Sequence, residues 1–392
     1  MTLTPTPRAI EEAGAIMMRF AKRTGLTSDL PQKRYLWTDA FGVCNFLGLG
    51  QATGEERYTN LALQLVDEVH HVLGSFRADD SRGGWLSGLS RQEGESHPTR
   101  GGLRIGKTLP ERGVAEPFDE QLEWERDGQY FHYLTKWMHA LDQVSRWTRQ
   151  PHFNTWAREL AEVSHHVFTF ATRSGRRMVW KMSTDLSRPL VPSMGHHDPL
   201  DGLITCVQLQ TTKSLVSGVP DEPSLKAAVT DFVRLIEGQD WTTADPLGLG
   251  GLLMDASRVA QLMRLGAFDE GDLLEALLAA ALSGLSHYER RNDLKAPASR
   301  RLAFRELGLA IGLCAVELTE EELEREDRLV ARHEGARELI QGLTSYVTLG
   351  SRIESFWLDP EHREARTWSE HRDINEVMLA TRLVPGSFLV LD

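Results

Sequence analysis

Residues 192–202 read PSMGHHDPLDG and place His196, His197, Asp198 and Asp201 within six positions. An imidazole beside a carboxyl group can pass a proton, provided that one of them titrates near the operating pH. Three uses of the cluster stand side by side. Asp198 ahead of Pro199 fits a helix N-cap followed by proline at the first helical position, with Asp201 at the third, where an acidic side chain completes a capping-box-like arrangement. A metal site would need one histidine and further ligands from elsewhere. Adjacent histidines point apart and no HxxxH or HxxE pair accompanies them, so neither a metal nor a cofactor is expected. Acid–base work needs one histidine and one aspartate facing a covered cleft.

Further groups of the same chemical kind lie at the starts of other helix-like segments. YLWTDAFG carries Trp37 and Asp39, and ERDGQYFHY carries Asp127, Tyr130, His132 and Tyr133. SRRLAFRE carries Arg305 and Glu306, and TWSEHRDINE carries Trp368, His371, Asp373 and Glu376. Carboxyl groups and histidines can grip hydroxyls or move protons, and flat rings stack on the apolar C–H face of a sugar. Helix initiation also explains Asp39, which follows Thr38, and a core stripe also explains His132 and His139, one heptad apart. The doublets His70-His71 and His165-His166 occupy matching places in two repeats and read as packing. There is no GxSxG elbow. GLRIGKTLP at 102–110 lacks the phosphate-loop spacing, and LGLGG at 247–251 follows no strand, so it reads as glycines permitting close packing at a helix start.

The elements that must hold these groups are helices. Periodicity predicts twelve, over 8–24, 37–53, 55–74, 128–149, 152–172, 199–215, 222–238, 249–265, 270–290, 301–316, 321–346 and 370–382, with almost no strand alternation. They pair: ATGEERY in one hairpin is answered by WTRQPHF in the next, and EVHHV by EVSHHV. The first helix of each pair is rich in Gly, Ala and aromatic residues, and the second has a polar face. A segment over 78–127, rich in Gly and charge yet carrying Trp85, Leu103, Ile105, Phe118 and Trp124, interrupts the pairs. It reads either as a binding flap or as an edge insertion covering apolar surface.

A formal charge of −12 disfavours a phosphate-tracking surface, so no nucleic-acid partner is expected. Cys44, Cys206 and Cys314 each sit in an apolar run and read as buried thiols. The N-terminus has no apolar core of a signal peptide and no stretch reaches about 18 apolar residues, so the expectation is a cytoplasmic protein without a membrane partner. A homo-oligomer is compatible with all of this.

Six such hairpins resemble the (α/α)6 toroid of the six-hairpin glycosidase-like proteins over nearly the whole chain. The expected fold is therefore all-α: one toroid domain over 1–392, with 78–127 as a flap over one mouth. An open α-solenoid is the competing architecture. The resemblance implies a cup at the N-terminal ends of the inner helices and hydrolysis of a glycosidic bond by two carboxyl groups. Asp39, Asp198 and Asp201 are the candidates, with Asp127 in reserve. His197 or His132 would orient a hydroxyl. Trp37, Trp85 and Trp368 would form stacking walls, and Tyr130, Arg305 and Glu376 complete the substrate-binding set. WSEHRDINEV also resembles the N-acylglucosamine 2-epimerase group, which carries a histidine at the start of its last inner helix. That resemblance implies a sugar isomerase using His371 and a second histidine. A noncatalytic carbohydrate- or protein-binding scaffold is the third reading.

Overall fold

The computed structural model describes residues 3–391, apart from 174, 292 and 326–333, and only the backbone of 214. It is mostly helical. The chain opens with α1 (Pro7–Arg23), α2 (Leu36–Thr53), α3 (Glu56–Leu73), α4 (Arg91–Ser96) and α5 (Glu120–Glu125). After β1 (Gln129–Tyr130) come α6 (Phe131–Thr148) and α7 (Pro151–Phe168), then β2 (Thr169–Thr172), β3 (Gly175–Met178), β4 (Lys181–Met182) and β5 (Pro189–Val191). The helices α8 (Asp198–Leu215), α9 (Lys226–Ile236), α10 (Pro246–Arg264), α11 (Gly271–Arg291) and α12 (Ala303–Arg325) follow. The chain ends with α13 (Glu334–Thr344), α14 (Val347–Leu358), α15 (Arg366–Ser369), α16 (Arg372–Leu383) and α17 (Gly386–Leu389).

The hairpin grammar survives in the burial. In α2, α6, α8, α10 and α12 buried residues lie on nearly every side, whereas α3, α7, α9, α11 and α13 keep an exposed face. In α3, for example, Tyr58, Ala62, Leu65, Val66, Val69 and Leu73 form one buried stripe at helical spacing. Among the described residues no helix is long and apolar enough to cross a membrane. The three cysteines are buried and free.

The chain is mostly helical, as expected, and carries in addition two small antiparallel sheets, β1-β4-β5 and β2-β3, that periodicity did not predict. Some helix bounds need correction. The helix expected over 152–172 stops at Phe168, where Thr169 turns extended and its hydroxyl and N–H both bond back to His165 O. The helix expected over 301–316 runs on to Arg325, because Leu318, Thr319, Glu322 and Leu323 continue its buried face. The one expected over 321–346 falls partly outside the described residues, and α14 was not expected at all. Its Leu349, Gly350, Ile353 and Trp357 nevertheless keep helical spacing on a buried face.

The chain forms two compact units. The C-terminal unit comprises Met1–Phe20, Gly48–Glu55 and Gly238–Asp392. Its central pair is α10 against α12, packed so closely that a Cβ on Gly250 would meet Gly308 O at 2.1 Å. That contact is what LGLGG permits. Nearby, Arg301 grips Glu306 through two nitrogens, Trp357 donates its indole N–H to the same carboxylate (2.8 Å), and the guanidinium lies 3.6 Å over Phe356.

The other unit, Ala21–Leu47 and Glu56–Glu237, carries the candidate site. Its helices are fastened by a buried polar knot. Asp142 on α6 accepts hydrogen bonds from Arg146 (2.8 Å), Asn154 on α7 (2.8 Å), and Gln208 (2.8 Å) and Thr212 (2.6 Å) on α8. Burial alone would raise the Asp142 carboxyl, but Arg146 and the other three donors hold it below the ordinary carboxylate value. The 78–127 segment is ordered by a comparable device: Arg104 meets Asp127 at 2.6 Å and donates to Ser75 O and Val72 O.

A group held ionised by its partners stabilises the fold above its unfolded pKa and loses that contribution as pH falls. Asp142→Ala leaves Arg146 buried without its anion and is expected to cost about 3–5 kcal/mol. In urea titrations at pH 7 against pH 3, the gap between wild type and variant should narrow at the lower pH. An equal gap at both would show that the knot contributes no ionised carboxylate.

Candidate functional site

The sheet β1-β4-β5 brings two helix starts together. Tyr130 lies opposite Lys181, and Lys181 opposite Val191. Phe131 N–H donates to Trp180 O (3.1 Å), and Trp180 donates to Ser193 O (3.1 Å) and Ser193 Oγ (3.0 Å). The sheet thus holds the first turn of α6, with His132, beside the segment that leads into α8. Lys181 anchors it from below: fully buried, its ammonium pairs with Glu123 (2.8 Å), donates to Glu123 O and Arg126 O, and lies 5.2 Å over the Tyr130 ring.

The opening cluster is not a set of caps. The N-cap of α8 is His197, without a side-chain cap bond, and Asp198 is the first helical residue. Asp201 turns toward α6 and accepts from Lys136 (2.8 Å) and from the Thr135 hydroxyl (2.5 Å). Asp198 Oδ1 lies 3.8 Å from His132 Nδ1, and its Oδ2 is buried without a hydrogen-bond partner. The carboxyl occupies space that only glycine leaves open, since a Cβ on Gly195 would meet Asp198 Oδ2 at 2.4 Å.

Aromatic rings surround His132. Tyr130 stacks on it (5.4 Å, 18°), Trp180 lies beyond Tyr130 (4.9 Å, 5°), Trp37 approaches edge-on (6.1 Å), and Tyr133 stands perpendicular (4.8 Å). Tyr133 and Tyr35 share a hydroxyl hydrogen bond of 2.7 Å. Two of these neighbours carry their own orphans: Trp37 Nε1 and Tyr130 OH are buried without a partner. An unsatisfied buried polar atom costs about 1–3 kcal/mol. Three of them on side chains adjoining one imidazole is the arrangement that a hydroxyl-bearing ligand would satisfy.

The electrostatics match. Burial and then the negative charge of Asp201 raise the Asp198 carboxyl to about 7, with Lys136 opposing. Burial lowers His132 to about 4, helped by the positive charge of Lys136. At neutral pH the imidazole is therefore uncharged and the carboxyl close to half protonated. The His132 side chain is 30% exposed and Asp198 8%, so the pair is reachable through the imidazole side.

The other sequence candidates fall elsewhere. Asp39 accepts Tyr35 N–H (2.8 Å) and lies 3.7 Å from Arg34, holding the start of α2. Asp127 is fully buried on Arg104 and also accepts Gly106 and Lys107 N–H. Trp85 packs beside His71 in a separate cavity. His197 lies against His196, with their rings 4.5 Å apart. Arg305, Trp368, His371 and Glu376 belong to the C-terminal unit. There Arg305 pairs with Asp245, the N-cap of α10, and Trp368 is buried against Trp357 (5.5 Å, 27°). His371 is exposed beside Phe304 (5.5 Å) and Glu376 is buried on α16. Sequence reasoning missed Thr135, Lys136 and Trp180. Lys136 sits one turn after His132 and was legible as a same-face neighbour. Trp180 was hidden because no sheet was expected. Among the described residues no group of three His, Cys, Asp or Glu side chains is placed to hold a metal ion.

No protein-family profile matches the sequence, and no curated protein matches it. Among solved structures, the chain is similar to cellobiose 2-epimerase from Bacillus thermoamylovorans B4167, at 10% identity over 81% of this chain and 76% of that one, with a TM-score of 0.45.

The two shifted groups make opposite contributions to folding. Asp198 takes up a proton on folding between about pH 4 and 7, so its contribution to stability declines as pH rises. His132 sheds one between about pH 4 and 6.5, so its contribution grows over that range. Asp198→Asn removes the first effect alone. Its stability relative to wild type, read from melting curves, should climb from pH 5 to about pH 7, at up to about 1.4 kcal/mol per pH unit, and level off above. A flat difference would mean that Asp198 ionises like an ordinary surface aspartate.

Proposed function

We propose that the protein binds a sugar at the His132 cluster and moves protons on it through Asp198 and His132, as a sugar isomerase or epimerase. The observation that carries this reading is the Asp198 carboxyl: buried, poised near neutrality, 3.8 Å from an uncharged imidazole, with one oxygen that no protein group satisfies. Its partly ionised form is the stronger base of the pair and can take the proton beside the carbonyl of an open-chain sugar. The electron pair of that C–H bond moves to the carbonyl oxygen, giving an enediolate. Neutral His132 can donate a hydrogen bond to that oxygen without being charged itself. Return of the proton from Asp198 to the carbonyl carbon, with the hydroxyl proton of the neighbouring carbon passed through His132 to the first oxygen, gives the isomer. Its return to the first carbon from the opposite face gives the epimer and needs a second acid. Tyr130, Trp37 and Trp180 offer the stacking faces, and the orphaned indole N–H and phenol offer partners for hydroxyls.

Glycosidic hydrolysis has less support. It needs a second carboxyl group able to act as base or nucleophile. Asp39 lies beside Arg34, Asp127 is held by Arg104, and Asp201 is held by Lys136. The alternation of enclosed and half-exposed helices supports the (α/α)6 toroid as the scaffold.

The test is solvent exchange. Reducing mono- and disaccharides incubated with the enzyme in D2O should take up deuterium at the carbon beside the carbonyl, read by ¹H NMR. Asp198→Asn should slow this by about 10²–10⁴-fold, with His132→Gln slowed less. Undiminished exchange in Asp198→Asn sinks the reading. Release of aglycone from aryl glycosides, abolished by both Asp198→Asn and Asp201→Asn, would restore the hydrolase.

A further inference from the structure

The doublet His70-His71 and Trp85 have no part in the proton-transfer site, yet they line one cavity of about 220 Å³ in the same unit. Phe153 and Trp156 stand at 87° with centroids 5.3 Å apart, so two ring systems meet as a corner. Trp85 lies 5.6 Å from the His71 ring and supplies a further aromatic wall. The positions of these rings are set by hydrogen bonds to the protein: Trp156 donates its indole N–H to Ser96 O (2.9 Å), and His70 Nε2 accepts the indole N–H of Trp137 (3.2 Å).

Charge gives the cavity a sign. Asp67 and Glu95 line it, with side chains 73% and 44% exposed, and no lysine or arginine does. His70 is fully buried and burial lowers it to about 3, so it adds no positive charge. His71 meets acceptors at both ring nitrogens, Asp67 O at Nδ1 (2.8 Å) and Glu95 at Nε2 (3.0 Å), and these outweigh burial and raise it above its ordinary value. Even against a protonated His71, two carboxylates leave a net negative lining. Aromatic faces attract a cation through the ring quadrupole, and recognition of alkylammonium ions uses this combination of π faces and nearby carboxylates. At about 220 Å³ the space is below the roughly 300–1,000 Å³ of pockets for drug-sized ligands, so the occupant is small.

We infer that this cavity is a binding site for a small alkylammonium ion, held by the Phe153–Trp156 corner and Trp85 and neutralised by Asp67 and Glu95. It is independent of the proposed proton-transfer site, which shares none of these residues.

Choline and its uncharged isostere 3,3-dimethyl-1-butanol separate charge recognition from apolar filling. Calorimetric titration of the full chain, at constant ionic strength, should give saturable choline binding on the order of millimolar, with the isostere at least about tenfold weaker. Both carboxylates are surface groups, so the double variant Asp67→Asn/Glu95→Gln should keep the wild-type melting temperature and bind choline about fivefold or more weakly. Trp156→Leu, confirmed folded by its melting curve, should abolish saturation. Equal affinity for the two ligands, no saturation by about 100 mM, or undiminished choline binding in the double variant would each overturn the assignment. Deuterium exchange on sugars should be the same in wild type and the double variant.

Discussion

Asp201 is clamped by Lys136 and Thr135, and most of what the candidate site can do follows from that clamp. The contact joins the first turn of α8 to the second turn of α6. It pairs one carboxylate with a cation and leaves the other, three residues earlier, buried beside it. Burial, and then the negative charge of Asp201, keep Asp198 from ionising at the usual pH, and burial, helped by the same lysine, discourages a charge on His132. An acid and a base with overlapping usefulness near neutrality result from three charges and one buried position. The free energy spent on leaving Asp198 Oδ2, Tyr130 OH and Trp37 Nε1 unsatisfied is recoverable only by a polar occupant.

The surroundings make that strained arrangement tolerable. A small sheet carries Tyr130 to the mouth of α6 and ties it through Trp180 to the chain ahead of α8. Lys181, buried beneath, gives up solvent for Glu123, two carbonyls and the Tyr130 face. Behind the site, Asp142 fastens α6, α7 and α8 with four donors, so these helices cannot drift apart without breaking a buried network in which both of its oxygens are paired. Within one unit, the same residue type is used as a structural anchor at Asp142, where every oxygen is paired, and as candidate chemistry at Asp198, where one is not.

Much of the scaffold was legible. Alternating enclosed and half-exposed helices could be read from Gly- and Ala-rich runs followed by amphipathic ones, and α3 shows why: a single apolar stripe buries one face and no other. LGLGG read as close packing, and Gly250 against Gly308 is that contact. The strands were not legible because β1 and β4 are two residues each, too short for any period to register. The end of α7 was missed because Phe170 and Ala171 extend its apolar spacing, while the turn at Thr169 depends on pairing with β3.

The sequence by itself determined which side chains exist at helix starts, that Asp198 and Asp201 lie one turn apart on one helix, and that His132 precedes Lys136 by a turn on another. Those are consequences of covalent spacing and helical geometry. Which aspartate is held and which is free was decided only by the tertiary structure. Capping, ion pairing and isolation compete for a carboxyl group at similar energies, and the winner depends on what a neighbouring helix presents within a few ångströms. Here Lys136 and Thr135 reach Asp201 and stop short of Asp198, so of two residues that look interchangeable in the sequence one is paired in the fold and the other keeps an oxygen without a partner.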